Sequence, residues 1–304
     1  MNNTNKTVAV VVTYNRCKLL KRCIEHLQRQ TATLDQILVI NNGSTDGTLQ
    51  LLYEMGITTI TQENLGSAGG WRRGIEYALE NGYETAWLMD DDGYPDENAL
   101  KLLQAAFTPD KACVSSVVVQ EDNPLKFVFP LPILNKIGMP AIWAFPRKLR
   151  TIAELNSRFN RNTYPFAHLF NGALISMNAA RVIGNVNDGY FTHGEELDYL
   201  YRLREYGDVI SVVNSYHYHP DVSERPFIPI KIYYYIRNTL ILNRKYFDLV
   251  YLRNIITVLL IIIRSAKRNG VSSIYSLLFG KHKKAFYPAI YKGLKGIIKK
   301  DFNA

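Results

Sequence analysis

The sequence predicts an α/β protein built on a doubly wound, mostly parallel sheet flanked by helices, with a basic helical C-terminal appendage. Three observations carry this. Strand-like and helix-like segments alternate from residue 7 onward, which is the pattern of βα units. The strand segments are nearly continuous β-branched runs, as in strands covered on both faces. Polar turns follow those runs, and open parallel sheets bind their ligands beyond the carboxyl ends of the strands.

Thr7 to Asn15, TVAVVVTYN, is the first such run. Cys17 to Gln30 follows, with Leu19, Leu20, Cys23, Ile24 and Leu27 on one helical stripe. QILVINNGSTDGT gives a second strand and a polar turn, and LQLLYEMG a short helix closed by Gly56. ITTITQEN predicts a third strand, GSAGGWRRGIEYALENG a Gly-rich turn entering a helix, and ETAWLMDDD a fourth strand. A helix from Asn98 to Phe107 and the strand ACVSSVVVQ come next. Asn123 to Arg161, rich in Pro and aromatics, predicts loops and short strands reaching over the site, with Trp143 as a stacking surface. Order returns with a strand over Phe170 to Asn178, a helix over HGEELDYLYRLREYG and a strand over DVISVVNSYHYHP.

The chain has 304 residues, 47% of them apolar, which is the composition of a folded protein. Cys17, Cys23 and Cys113 form neither a C-x-x-C pair nor an even framework, so they predict a reducing compartment and ordinary packing roles. The N-terminus MNNTNKTVAVVVTYNR does not resemble a signal peptide, and IITVLLIII falls short of the roughly 20 apolar residues of a membrane span. A cytoplasmic protein is expected. The formal charge of +9 is unevenly spread: residues 226–304 carry fifteen Lys/Arg against two acids, leaving residues 1–225 at −4. Interleaved Tyr, Phe, Leu and Ile favour an anionic membrane surface over nucleic acid as the partner of this tail, with a solvated face or subunit contact as the plainer alternative.

Four polar clusters fall at strand ends: Thr13 to Arg16, Asn41 to Asp46, Asn64 to Gly70, and Asp90 to Asp92. Three adjacent carboxylates repel, so WLMDDDGYP is either a solvated turn or a site that supplies a cation. A hard ion such as Mg²⁺ or Mn²⁺ takes carboxylate oxygens and borrows further ligands from a diphosphate. Strand alternation would aim Asp90 and Asp92 one way and Asp91 another. In NLGSAGGWRRG, Gly66, Gly69 and Gly70 permit close backbone approach, and Arg72 and Arg73 suit phosphate. Glu195, Glu196 and Asp198 open a helix, where acids favour the dipole or supply a general base. His217 and His219 share one face of a strand, as packing residues or ligands.

Together TYNR, NNGSTDGT, NLGSAGG, DDD and GEELDYLYRLREYG, in this order, resemble the inverting family 2 glycosyltransferases of GT-A fold, over residues 7 to 240. Within that family NLGSAGGWRRG, WLMDDDGYP and YYYIRN look most like bacterial galactofuranosyltransferases, with rhamnosyltransferases close behind. The resemblance implies that Thr13, Tyr14, Arg16, Asn42, Asp46 and Asp91 contact the nucleotide donor, and that Asn64 and Arg73 face its sugar. It implies Mn²⁺ or Mg²⁺ held by Asp90, Asp92 and His219, with His217 as the fallback ligand, and Glu196 as the base. Asn41 and Asn42 stand where the family often has an acid, and Glu196 where Asp is commoner.

The expected organisation is a catalytic domain over 1–240 and a basic amphipathic region over 241–304 at the inner face of the cell membrane. The expected reaction moves galactofuranose from UDP-galactofuranose to a lipid-linked or growing surface glycan. A rhamnosyltransferase using dTDP-rhamnose is the near rival; a glycan-binding protein without chemistry and a nucleotidyltransferase are the distant ones. Self-association into a homo-oligomer stays open.

Overall fold

In the computed structural model, residues 6–159, 161–223 and 225–299 are described. β1 (Thr7–Thr13) is buried throughout, as its β-branched run requires. α1 (Cys17–Gln28) packs Leu20, Cys23, Ile24 and Leu27 inward. Each such burial contributes about 1.5–3 kcal/mol. β2 (Gln36–Asn41), α2 (Thr48–Glu54), β3 (Thr58–Thr61), α3 (Gly66–Glu80) and β4 (Thr85–Asp90) complete the first alternation. β5 (Tyr94–Pro95), α4 (Ala99–Ala106) and β6 (Lys111–Gln120) follow. The aperiodic region holds β7 (Lys126–Pro132), β8 (Lys148–Thr151) and α5 (Ile152–Arg158). After β9 (Thr163–Tyr164) come β10 (Asn171–Ser176), α6 (Met177–Ile183), a 3-10 turn at Asp188–Tyr190, α7 (Glu195–Tyr206) and β11 (Asp208–His219). Four helices end the described chain: α8 (Pro229–Tyr246), α9 (Val250–Asn269), α10 (Ser272–Leu278) and α11 (Lys283–Lys295).

The sheet order is β3-β2-β1-β4-β10-β6-β11-β5, with β7, β8 and β9 attached off this path. β3, β2, β1 and β4 are mutually parallel, and β6 runs parallel to β11. β10 lies antiparallel between β4 and β6, which separates the two parallel sets. The register aligns the ends that matter: Thr13 pairs with Asn41, Asn41 with Thr61, and Val12 with Asp90. The polar residues after these strands therefore start from one edge of the sheet.

The chain divides into two compact units. One comprises residues 1–65, 69–186 and 202–221 and holds the sheet; the other comprises 66–68, 187–201 and 222–304. The expected boundary at residue 240 falls inside α8. The second unit has its own core, in which Ile232, Tyr233, Ile236 and Leu240 of α8 meet Ile261, Leu277, Phe286 and Ala289. No helix among the described residues is long and apolar enough to cross a membrane. α11 begins at Lys283 and carries Pro288 inside it.

The glycines of the third helix correct one expectation. A Cβ at Gly70 would lie 2.5 Å from Val12 Cγ1, and one at Gly74 2.3 Å from Val10 Cγ1. They let α3 press against β1, so their explanation is helix–strand packing and not approach to a ligand. Trp71, fully buried beside them, stacks on Phe170 at 4.3 Å.

Candidate functional site

The first unit gathers its polar residues around the end of β4. The extended segment stops at Asp90, and Asp91 and Asp92 lie in the following turn, so strand alternation does not govern them. Asp91 points into the protein: it is 2% exposed and accepts from Thr13 Oγ1 at 2.7 Å and from Arg16 at 2.9 Å. Asp92, 3% exposed, pairs with the same Arg16 guanidinium at 2.8 Å and lies 3.0 Å from His219 Nε2. Burial pushes the Asp91 carboxyl up, opposed by Arg16 and by the Thr13 hydroxyl. Burial alone would lower Arg16, but the charges of Asp91, Asp92 and Asp90 outweigh it and raise its pKa.

His219 closes this cluster from β11. Its Nδ1 lies 2.7 Å from the Pro220 carbonyl, which can only accept, so Nδ1 carries the proton. Nε2 is then the nitrogen that faces Asp92 Oδ1, so imidazole and carboxylate present two donors side by side that could share a cation. The Phe129 ring packs at 5.3 Å, edge to the His219 ring. His217 is buried differently. Neither of its ring nitrogens has a hydrogen-bond partner among the described residues, and burial holds its pKa down to about 3. Gly93 and Gly172 crowd it, since a Cβ at Gly93 would lie 2.2 Å from Nε2. Of the two histidines, His219 is thus the one that faces the acids. Among the described residues no three His, Cys, Asp or Glu side chains are gathered as a ready metal cage. Asp92 and His219 supply two donors of the right chemistry, and a diphosphate would supply others.

The neighbouring turns are tied together by short hydrogen bonds. Asp46 accepts from Thr48 Oγ1 at 2.6 Å and from the Cys17 amide at 3.0 Å, bonds that lower its pKa. It therefore caps the starts of α1 and α2. Asn15 adopts φ 53° and accepts from the Thr45 amide at 2.7 Å. Asn41 accepts from the Ser44 amide, and buried Asn42 from Gln62 at 2.7 Å. Tyr14 is 47% exposed beside them, and Asn64 is exposed. Arg73 reaches Glu76 at 2.7 Å and Glu80 at 3.8 Å on its own helix, so its charge is shared within α3. Trp143 and Phe145 stand exposed in the β7–β8 connection. Sequence reasoning missed Arg22, which donates to the Asp92 carbonyl at 3.0 Å and to Glu121 at 2.8 Å. On α1 it reads as an ordinary surface arginine.

The second unit holds the other acids. Glu195 begins α7, is 4% exposed, and accepts from Ser67 Oγ at 2.5 Å. Its Oε2 has no hydrogen-bond partner among the described residues, and burial pushes the carboxyl up to about 7. Glu196, next in the chain, is half-buried. Asp198 is held by Lys245 at 2.8 Å, by the Tyr246 hydroxyl at 2.8 Å and by the Tyr190 hydroxyl at 3.3 Å. The Ser67–Glu195 pair carries no local sequence signal, because its partners are 128 positions apart.

Residues 8–169 match the family described as "Glycosyl transferase family 2". The chain is 31% identical over 210 residues to the galactofuranosyltransferase GlfT1 of Mycolicibacterium smegmatis, covering 67% of each chain. It is 32% identical over 208 residues to GlfT1 of Mycobacterium tuberculosis, covering 66% of this chain and 65% of that one. The chain thus spans about two thirds of the length of these relatives. Among solved structures, a mannosyltransferase from Pyrobaculum calidifontis, in complex with GDP-Man and Mn²⁺, aligns with a TM-score of 0.55 at 12% identity, over 97% of this chain and 88% of that one. TarS of S. aureus aligns with a TM-score of 0.52 at 14% identity, over 96% and 49%. At such identities these two speak for the fold, which is of GT-A type.

Proposed function

The chain belongs to glycosyl transferase family 2, and from that premise we propose that it transfers galactofuranose from UDP-galactofuranose to a lipid-linked or growing surface glycan, with inversion. The observation that carries the donor-site assignment is the buried Asp91–Asp92 pair, clasped by Arg16 at 2.9 and 2.8 Å, with His219 Nε2 presented to Asp92. Like-charged acids held this way demand positive charge, which suits a diphosphate site fed by a cation. The identity to galactofuranosyltransferases supports the choice of sugar. The rival donor is dTDP-rhamnose.

Asp90, Asp92 and His219 are assigned to hold Mn²⁺ or Mg²⁺, which when bound would neutralise the departing diphosphate. Arg16 adds fixed positive charge and, with Thr13, keeps Asp91 in place. Thr13, Tyr14, Asn42 and Asp46 are assigned to the nucleotide, with Asp46 acting through the two helix starts it caps. Asn64 is assigned to the sugar; Arg73 is its weaker companion, given its ties to Glu76 and Glu80. Glu196 is the base. As the acceptor oxygen bonds to the anomeric carbon, the bond from that carbon to the diphosphate breaks, the hydroxyl proton passes to Glu196, and UDP leaves. Purified protein incubated with Mn²⁺ and a panel of nucleotide sugars should release UDP from UDP-galactofuranose. Release of dTDP from dTDP-rhamnose instead would move the assignment to the rival.

The proposed partner of residues 226–304 is an anionic membrane surface. On α9, Thr257, Ile261 and Ser265 are buried, whereas Tyr251, Ile255, Leu259 and Ile263 form an exposed stripe at four-residue spacing. An apolar stripe on a strongly basic segment matches the interface of anionic lipid. Not every cation faces outward: Arg264 stacks over Tyr235 at 4.9 Å, and Arg237 is fully buried. The protein should float with phosphatidylglycerol vesicles, and a Leu259→Ser, Ile263→Ser double variant should lose most of that binding. A wild-type protein that stays behind, or a stripe that instead mediates self-association by light scattering, would remove the membrane assignment.

A further inference from the structure

The motif YYYIRN has no role in the reaction as described, yet its last two residues are fully buried in the middle of α8. Asn238 Nδ2 donates to the carbonyls of Tyr190 at 3.1 Å and Thr192 at 2.8 Å, and lies against that of His193 as well. Arg237 donates through Nε to Asn238 Oδ1 at 2.8 Å, which orients the amide. Its other nitrogens reach the carbonyls of Gly189 at 2.9 Å, Tyr190 at 3.2 Å and Lys299. One arginine and one asparagine thus gather the carbonyls of residues 189, 190, 192 and 193 in the loop that enters α7.

That loop needs holding. Phe191 and His193 adopt positive φ, 63° and 58°, a region that residues with side chains avoid unless the surroundings hold them there. Gly194 follows at φ 120°, and a Cβ there would lie 2.9 Å from Asn238 Cβ. The loop also carries contacts onward. The Phe191 carbonyl accepts from the Ala68 amide at 3.1 Å, and Gly66 has no room for a Cβ because that carbonyl would be 2.2 Å away. Ser67 then bonds Glu195, and the Gly194 carbonyl accepts from the Asp198 amide as α7 begins. Both helix starts rest on the conformation of the same few residues.

We propose that Arg237 and Asn238 are positioning residues for the transfer reaction: they hold 189–193, in which Phe191 and His193 have positive φ, and the loop in turn sets the start of α3 and the acid pair Glu195–Glu196. This rests on the assignment of Glu196 as the base. Asn238→Asp keeps the shape and the Arg237 contact while deleting the amide donors. It should lower kcat about 100-fold, with the affinity for UDP in Mn²⁺ changed less than threefold. Activity is read as UDP or dTDP release, to an octyl galactoside acceptor or to water, from whichever of UDP-galactofuranose and dTDP-rhamnose the wild type turns over.

Two further measurements separate positioning from general stability. Combined with Glu196→Gln, Asn238→Asp should lower kcat no further than Glu196→Gln alone, because the two changes disable one function. Gly194→Ala crowds the loop against α8, 2.9 Å from Asn238 Cβ, while leaving the Asn238 amide donors in place, and should show the same loss of kcat and the same non-additivity. Wild-type kcat in Asn238→Asp, parallel loss of UDP affinity, additive effects, or failure of both variants to fold would each overturn the proposal. A neutral Glu196→Gln with impaired Asn238→Asp would instead remove Glu196 as the base while leaving the pair as positioning residues for another group.

Discussion

The two units bury acids in opposite ways. In the first, Asp91 and Asp92 share the Arg16 guanidinium at 2.9 and 2.8 Å, and each has a further partner in Thr13 or His219. In the second, Glu195 is equally sheltered, but its partner is the neutral Ser67 hydroxyl and its Oε2 has none among the described residues. A hydroxyl satisfies one lone pair; it does not offset the cost of removing a charge from water. Hence burial carries Glu195 up to about 7, where it holds or releases a proton near neutrality. One cluster is built to keep charge and receive more, and the other to handle a proton.

The sharpest way to break that contrast is to exchange the acids of α7 one at a time. Glu196→Gln removes the assigned base and should lower turnover about 1,000-fold, within the range attributed to general bases. UDP binding, measured by calorimetry, should stay within a factor of about three, because the first unit is untouched. Glu195→Gln should keep turnover within about tenfold of wild type. If the losses are reversed, the proton acceptor is Glu195 and the family correspondence shifts by one residue.

Glu195 also predicts a pH dependence of stability. Its pKa is raised in the folded state, from 4.5 to about 7, so its contribution is fully favourable below pH 4.5 and is lost as pH rises through 7. The shift corresponds to roughly 3 kcal/mol at most. Glu195→Gln mimics the protonated form, so wild type and variant should melt together near pH 4, while at pH 8 the variant should be the more stable by up to about 3 kcal/mol. Parallel melting curves at both values would mean that Glu195 titrates normally and that the contrast between the units is false.

Much of the first unit was legible because its signals are local. The β-branched run at Thr7–Thr13, the stripe Leu20, Cys23, Ile24, Leu27 and the polar turns at strand ends all obey periods of two or 3.6. The antiparallel β10 was not legible, since its apolar run reads alike in either direction. The role of Gly70 was misread for a related reason: a glycine spaced for phosphate and one spaced for helix–strand contact look the same until Val12 is in place. Ser67–Glu195 and the Asn238 bonds to 190–193 join segments about 45 to 128 positions apart, and single-chain patterning carries no record of them. The acids themselves were found, but which of them is compensated depends on Arg16 and His219 converging in three dimensions.

The smallest effect tests the oldest ambiguity, whether Asp90 to Asp92 form a solvated turn or a cation site. Arg16→Met keeps the apolar stem and removes the charge. Stripping one partner from a fully buried ion pair costs about 3–5 kcal/mol. The Arg16 side chain, however, is 40% exposed, so solvent replaces part of what is lost, and about 1–2 kcal/mol is expected from thermal melts. The variant leaves Asp91 and Asp92 confronting each other with less positive charge, so Mn²⁺ should raise its melting temperature by more than it raises that of the wild type. A simple turn predicts neither result: its carboxylates would already be screened by water, and replacing Arg16 would leave both stability and Mn²⁺ response unchanged. A larger Mn²⁺ response after the arginine is gone would mean that guanidinium and metal answer the same electrostatic demand, which is the property a sugar-diphosphate site requires.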